Sequence, residues 1–272
     1  MDGKALARRI RAEVAAEVRA LGHVGLATVL VGDDPASQIY IRLKQEAAAE
    51  AGIRATDVRL PATSSEEDVL ARVAGLNADD TIDAVLVQLP LPGGINEARV
   101  IRAVDPAKDV DGIHPQNLGE LLLGRAHLVP ATALGAMALL AEYGIELDGA
   151  CAVVVGRSEI VGRPVAQLLE HADATVTICH SHTRDLRRHT RDADVLVVAA
   201  GRAGLVTAEM VKPGAAVVDV GITRTDAGVV GDVDPAAAEV AGFLTPVPGG
   251  VGPMTIACLL RNAVACARLR RG

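Results

Sequence analysis

The sequence predicts an α/β fold in two domains, and three observations carry that expectation. Apolar runs of strand length alternate with helical patterns, the mark of parallel sheets covered by helices. The alternation occurs in two series, separated by a helical stretch that stops at Gly144. The 272 residues suffice for one large core or two modest ones.

The first residues, MDGKALARRIRAEV, read as a polar amphipathic helix and not as an export signal. Strands are expected at 26–31, 53–60 and 84–89, with helices over 35–51 and 65–77 between them. Asp34 is placed to cap the first of these helices, and Pro35 fits its first turn, where a missing N–H costs nothing. Ile39, Leu43 and Ala47 form an apolar stripe expected to anchor that helix to a core. Pro90, Pro92, Gly93 and Gly94 then break the chain into a loop, and DPAKDVDGIHPQN (105–117) reads as a second loop-rich stretch. A helix over 133–143 marks the domain boundary. Beyond it, strands are expected at 151–155, 175–179, 195–199 and 216–220, and a last helix over 253–269 is expected to return to the first domain. The domains are therefore drawn as 1–135 with 254–272, and 136–253.

Composition narrows the function classes. Half the residues are hydrophobic, yet there is no tryptophan, one phenylalanine and two tyrosines, so the cores must be aliphatic. The 27 basic against 34 acidic side chains give a net charge of −7, which argues against nonspecific nucleic-acid binding. The four cysteines have no metal-ligand spacing and read as buried thiols of a reducing compartment. No apolar run approaches the ~18 residues that span a bilayer, so the expectation is a soluble, cytoplasmic protein without a membrane partner.

Two places carry chemistry. Tyr40 and Lys44 are four apart on one short helix and project together; on its own the spacing also fits a solvated lysine beside a half-buried tyrosine. The second place is CAVVVGRSEIVGRPVAQLLE (151–170), a buried strand, a turn between Gly156 and Gly162, and a helix. A doubly wound fold binds phosphate at such a turn, on free N–H groups and the positive helix end. Ser158 stands where a strict Gly-x-Gly-x-x-Gly motif has its second glycine. The following strand runs into Cys179, His180, Ser181, His182, Thr183 and Arg184, with no acid before Asp185. An acid at that strand end would favour the free ribose 2′-hydroxyl of NAD. Arg157, Ser158 and Ser181 would instead welcome a 2′-phosphate, which predicts NADP.

With these residues in view, the chain resembles the bifunctional methylenetetrahydrofolate dehydrogenase/methenyltetrahydrofolate cyclohydrolase family. The matching segments are VGDDPASQIYIRLK (31–44), VQLPLP (87–92), KDVDGIHPQNLG (108–119), GRSEIVGRP (156–164), KPGAAVVDVGI (212–222) and TPVPGGVGPMT (245–255). They occur in the family's order and cover nearly the whole chain. The resemblance implies a homodimer with an N-terminal α/β catalytic domain, a C-terminal NADP-binding Rossmann domain and a folate cleft between them. It further implies NADP-dependent oxidation of 5,10-methylenetetrahydrofolate, then hydrolysis of the methenyl product to 10-formyltetrahydrofolate. Carried over by motif, Lys44 is the principal polar catalyst, Gln88 supports it, Tyr40 packs on the folate, and Asp111 grips the pterin. A desolvated Lys44 with a depressed pKa would remain neutral beside the cationic product and activate water. The resemblance also places Pro248, Gly249 and Gly250 against the folate and nicotinamide end, and Ile222 against the cofactor; Ile222 equally fits a core position. Two positions depart from the family pattern: Glu46 stands where a second basic residue is common, and Pro130-Ala131-Thr132-Ala133 replaces Pro-Cys-Thr-Pro. Both bear on the balance of the two activities.

Overall fold

The computed structural model describes residues 1–226 and 228–271. In chain order the first elements are α1 (Gly3–Leu21), β1 (Gly25–Val31), α2 (Pro35–Glu50), β2 (Arg54–Leu60), α3 (Glu66–Ala78) and β3 (Ala84–Val87). Next come α4 (Glu97–Ala103), α5 (Pro115–Leu122), α6 (Ala131–Glu142), β4 (Cys151–Val155), α7 (Gly162–His171), β5 (Thr175–Cys179) and α8 (Leu186–Thr190). The chain closes with β6 (Val195–Val198), β7 (Ala216–Asp219), β8 (Thr223–Thr225), β9 (Gly228–Val230), β10 (Phe243–Leu244) and α9 (Val251–Arg271). Two compact units result. The first holds Arg8–Ala131 and the chain from Ile256 onward; the second holds Met1–Ala7 and Thr132–Thr255.

The first unit is built on a parallel three-stranded sheet in the order β2-β1-β3. All seven β1 residues are buried, as a central strand covered on both faces requires. From β1 the chain passes to β2 on one side and then to β3 on the other. This reversal opens a crevice at the carboxyl ends of β1 and β3, where open α/β sheets bind ligands.

Asp34 caps α2 by accepting the Ser37 N–H at 2.7 Å, and Pro35 occupies the first turn. The expected anchoring stripe is corrected by the structure. Ile39 and Leu43 are exposed (36 % and 41 %), while Ile41, Ala47, Ala48 and Ser37 are buried. Ile41 lies roughly 200° around the helix from Ile39, and the small Ala47–Ala48 pair lets this face approach its neighbours closely. Tyr40 and Lys44 are thereby left half-buried at the border of the exposed side.

The expected loop at 105–117 is more ordered than its composition suggests. Pro115 starts α5 and does not break a helix, because His114 caps it through Nδ1 on the Gln116 N–H at 3.1 Å. The segment is anchored by Lys108, whose side chain is fully buried. Its Nζ donates to the carbonyls of Leu76, Asn77 and Asp79 at 2.9, 2.7 and 2.9 Å, closing the C-terminal end of α3. From Ile256 on, α9 belongs to the first unit, where Asn262 Nδ2 donates to the carbonyls of Val110 and Val129 at 2.9 and 2.8 Å.

The second unit contains a parallel five-stranded sheet in the order β10-β7-β6-β4-β5, with an antiparallel β8–β9 hairpin that the sequence pattern did not anticipate. Val153, Val155, Leu196, Val198 and Val217 supply one face of its core. The strand order reverses about β4, so its switch point lies at the carboxyl ends of β4 and β6. The structure meets the expectation of buried cysteines at Cys179, Cys258 and Cys266 but not at the exposed Cys151, the first residue of β4.

Candidate functional site

In the first unit the switch point gathers three of the expected residues. Lys44 comes from α2, and Gln88 follows the last residue of β3. Lys44 Nζ donates to Gln88 Oε1 at 3.3 Å, while Gln88 Nε2 donates to the Leu89 carbonyl at 2.7 Å. The second bond fixes which end of the amide faces the lysine, and the Gln88 N–H, bonded to the Val29 carbonyl at 2.9 Å, fixes the backbone beneath it. Tyr40 shares the helix one turn before Lys44 and is half-buried.

Asp111 is held by its neighbours. Asp109, buried two residues earlier, accepts the N–H groups of Gly112 and His114 at 3.1 and 2.7 Å and the Asn117 amide at 2.8 Å. Gly112 has φ +70°, and a Cβ there would stand 2.5 Å from the Val129 carbonyl carbon, so the turn beside Asp111 admits only glycine. Desolvation raises the Asp111 carboxyl to about 6; the charge of Lys44 opposes the rise and that of Asp109 adds to it. A small pocket beside it is lined by Asp109, Asp111, Val85, Val87, Ile101 and Ile113.

Lys108, Asp109 and Asn262 organise this site without having been singled out in the sequence. Asn262 is a polar residue inside an apolar helical stretch, a signal that was available. The role of Lys108 depends on backbone groups 29–32 residues away that the fold brings near, whereas Asp109 accepts from N–H groups three and five residues on. Glu46 points into solvent and pairs with Arg42 at 3.8 Å on the exposed side of α2.

In the second unit, β4 is followed by Gly156, whose φ is +130° and whose Cβ position lies 2.2 Å from the Ala199 carbonyl oxygen. A Cβ on Gly162 would lie 2.3 Å from the Gly156 carbonyl oxygen. The two glycines thus let the turn, the β6 end and the start of α7 pass one another with no side chain between. Ser158 Oγ accepts the N–H groups of Val161 and Gly162 at 3.2 and 3.3 Å, leaving its hydroxyl proton available to donate. Among the described residues, the N–H groups of Arg157, Ser158, Glu159 and Ile160 find no partner. A strand-turn-helix with free donors, an exposed Arg157 and an exposed Ser181 on the next strand's loop fits a phosphorylated dinucleotide.

The remaining expected residues also lie in this unit. Pro248 is exposed, and Gly249 and Gly250 are buried. Gly249 adopts φ +114°, and its carbonyl accepts the Gly3 N–H at 3.1 Å. Ile222 is 46 % exposed, not a core residue, with its Cδ1 4.0 Å from where Gly252 would carry a Cβ.

Known proteins share this architecture and sequence. Residues 1–111 match the family model of the tetrahydrofolate dehydrogenase/cyclohydrolase catalytic domain, and residues 130–271 match that of its NAD(P)-binding domain. The chain is 58% identical to the bifunctional protein FolD of Acidiphilium cryptum, over 100% of this chain and 98% of the relative. The structure superposes with a TM-score of 0.97 on a bifunctional methylenetetrahydrofolate dehydrogenase/cyclohydrolase from Campylobacter jejuni, at 46% identity over 99% of this chain and 98% of the other. The corresponding enzyme of Trypanosoma brucei, solved with NADP cofactor and an inhibitor, gives 0.95 at 40% identity, covering 100% and 97%.

Proposed function

Because this chain belongs to the tetrahydrofolate dehydrogenase/cyclohydrolase family, we propose that Lys44, Gln88, Asp111 and Tyr40 act on the folate while the Gly156–Gly162 turn holds the cofactor. The enzyme oxidises 5,10-methylenetetrahydrofolate to the 5,10-methenyl form with NADP and hydrolyses that product to 10-formyltetrahydrofolate. When bound, NADP supplies the hydride acceptor.

The Lys44–Gln88 hydrogen bond is the observation that carries the residue assignment. Oxidation removes a hydride from the one-carbon bridge and leaves a cation there. Hydrolysis adds water to the same carbon, so one polar catalyst beside the bridge serves the second step. In its deprotonated form the Lys44 amine takes one proton from the attacking water and returns it to the ring nitrogen as the carbon–nitrogen bond breaks; the water's second proton leaves the carbinol oxygen for solvent as the formyl carbonyl forms, so cation and water give the neutral product and one released proton. Gln88 orients Nζ without bringing a charge. Asp111 offers two acceptor oxygens to the donor edge of the pterin, and Tyr40 packs on the folate. Ile39 and Leu43, exposed one position before each of Tyr40 and Lys44, add apolar surface next to them.

On the cofactor side, Gly156 and Gly162 allow close approach of the pyrophosphate. Arg157, Ser158 and Ser181 receive the 2′-phosphate, and Ile222, with Pro248, Gly249 and Gly250, borders the nicotinamide and folate end. The folate function is assigned to residues 1–135 with 254–272 and the cofactor function to 136–253. We further propose a cytoplasmic homodimer. β5 is an edge strand of its sheet and carries an exposed Ile178, which supports pairing with a second copy. Among the described residues no helix is long and apolar enough to cross a membrane.

The Asp111 assignment has a pH signature. Its carboxyl titrates near 6, so the acceptor form is present above that pH and is lost as pH falls through it. KM for methylenetetrahydrofolate is expected to rise below pH 6, by up to about tenfold per pH unit. Asp111→Asn is expected to raise KM at pH 7.5 and flatten this dependence; a KM that keeps the wild-type pH profile in the variant contradicts the assignment. The raised pKa also means that ionising Asp111 opposes folding, so stability from this group declines as pH rises from the ordinary carboxylate range through 6. Asp111→Asn should therefore be no less stable than wild type at neutral pH.

A further inference from the structure

At the end of β5 the chain runs His180-Ser181-His182, and the two imidazoles meet edge to face with ring centroids 6.0 Å apart. The His182 N–H donates to His180 Nδ1 at 3.2 Å, so the neutral His180 ring carries its proton on Nε2. The His180 N–H donates to Thr183 Oγ1 at 2.8 Å. The short turn that presents Ser181 is thus locked by the histidines on either side of it.

The charge of Arg157 reaches this pair. Burial, then the Arg157 charge, then His182 hold His180 below the ordinary histidine range. On the β4–α7 turn and the start of α7, Glu159 is paired with Arg163 at 3.6 Å. On the loop after β5, Arg184 is followed by Asp185, whose carboxylate accepts the Arg188 N–H at 3.4 Å. On α8, Arg187 is paired with Glu209 at 3.7 Å and is followed by Arg188 and His189, and Arg202 stands on the loop after β6.

We infer that the His180–His182 pair is the proton-accepting part of the 2′-phosphate subsite, so that NADP binds with proton uptake whereas NAD does not. This inference rests on the assignment of the 2′-phosphate to Arg157 and Ser181. Without ligand, His180 is within reach of the Arg157 charge and disfavours taking up a proton. A phosphate dianion placed among these groups reverses that balance and stabilises imidazolium. By linkage, the preference for NADP over NAD widens as pH falls toward the histidine range, by at most about tenfold per pH unit for one proton. The widening ends near pH ~6, where the phosphate itself takes a proton.

Isothermal titration of the full-length protein with NADP and with NAD, near pH 7 in two buffers of different ionisation enthalpy, counts the protons directly. The expected result is net uptake with NADP, none with NAD, and a marked reduction of the NADP uptake in His182→Gln. Equal uptake for the two cofactors overturns the inference, as does unchanged uptake in both His182→Gln and His180→Gln. A protein that prefers NADP equally at pH 6.5 and 8 loses only the histidine role. One with no preference at any pH also loses the 2′-phosphate assignment on which that role rests.

Discussion

Replacing Lys44 with alanine is expected to lower cyclohydrolase activity by at least about 10²-fold, the range in which a positioned general acid–base group contributes, while the Kd for NADP stays close to wild type. The separation follows from where the groups stand. Lys44 and its partner Gln88 belong to the first unit, and the turn at 156–162 is built in the second. Hydride transfer moves no proton to or from a side chain, so the dehydrogenase step should retain more activity than the hydrolytic one. The variant should fold normally, because Lys44 is only half-buried and its one hydrogen bond here goes to a side chain that keeps its bond to the Leu89 carbonyl. Wild-type hydrolysis of methenyltetrahydrofolate by Lys44→Ala would refute the role given to the amine.

Arg157→Ala is expected to raise the Kd for NADP about tenfold, the loss of roughly 1.4 kcal/mol that a charge-assisted hydrogen bond to phosphate supplies at an exposed site. NAD affinity should change little. The basis is the loop beyond β5, which presents Ser181 and no carboxylate before Asp185, together with an exposed Arg157 on the neighbouring turn. The difference should shrink as salt is added, since an exposed guanidinium is screened. Equal losses for the two cofactors, measured by fluorescence titration, would mean that the 2′-phosphate is held elsewhere.

Much of the architecture was legible before the structure, and the reasons are physical. β4 and β5 fall at the bounds expected for different reasons: CAVVV is the short aliphatic run of a buried parallel strand, and TVTIC alternates β-branched residues as a partly exposed edge strand does. α2 was legible through Asp34 and Pro35, yet its buried face was not. Alanines carry little hydrophobic signal, so Ile39 and Leu43 led the expected stripe; of its three members only Ala47 is buried, beside Ala48 and Ile41, because close packing favoured the small residues. α5 was hidden by Pro115, which suits a first turn as well as a break. The Tyr40–Lys44 spacing was readable because it is local. The holding of Asp111 was not, because Asp109, Asn262 and Lys108 act on backbone groups up to 152 residues away.

One chain, on this account, carries out two reactions in succession at the same carbon. The most direct test supplies wild-type protein with 5,10-methylenetetrahydrofolate and NADP and follows NADPH and the methenyl absorbance together. The account predicts NADPH production accompanied by a methenyl transient that decays to 10-formyltetrahydrofolate faster than in enzyme-free buffer. Well-folded protein that makes no NADPH, or whose methenyl product decays only at the buffer rate, would contradict it.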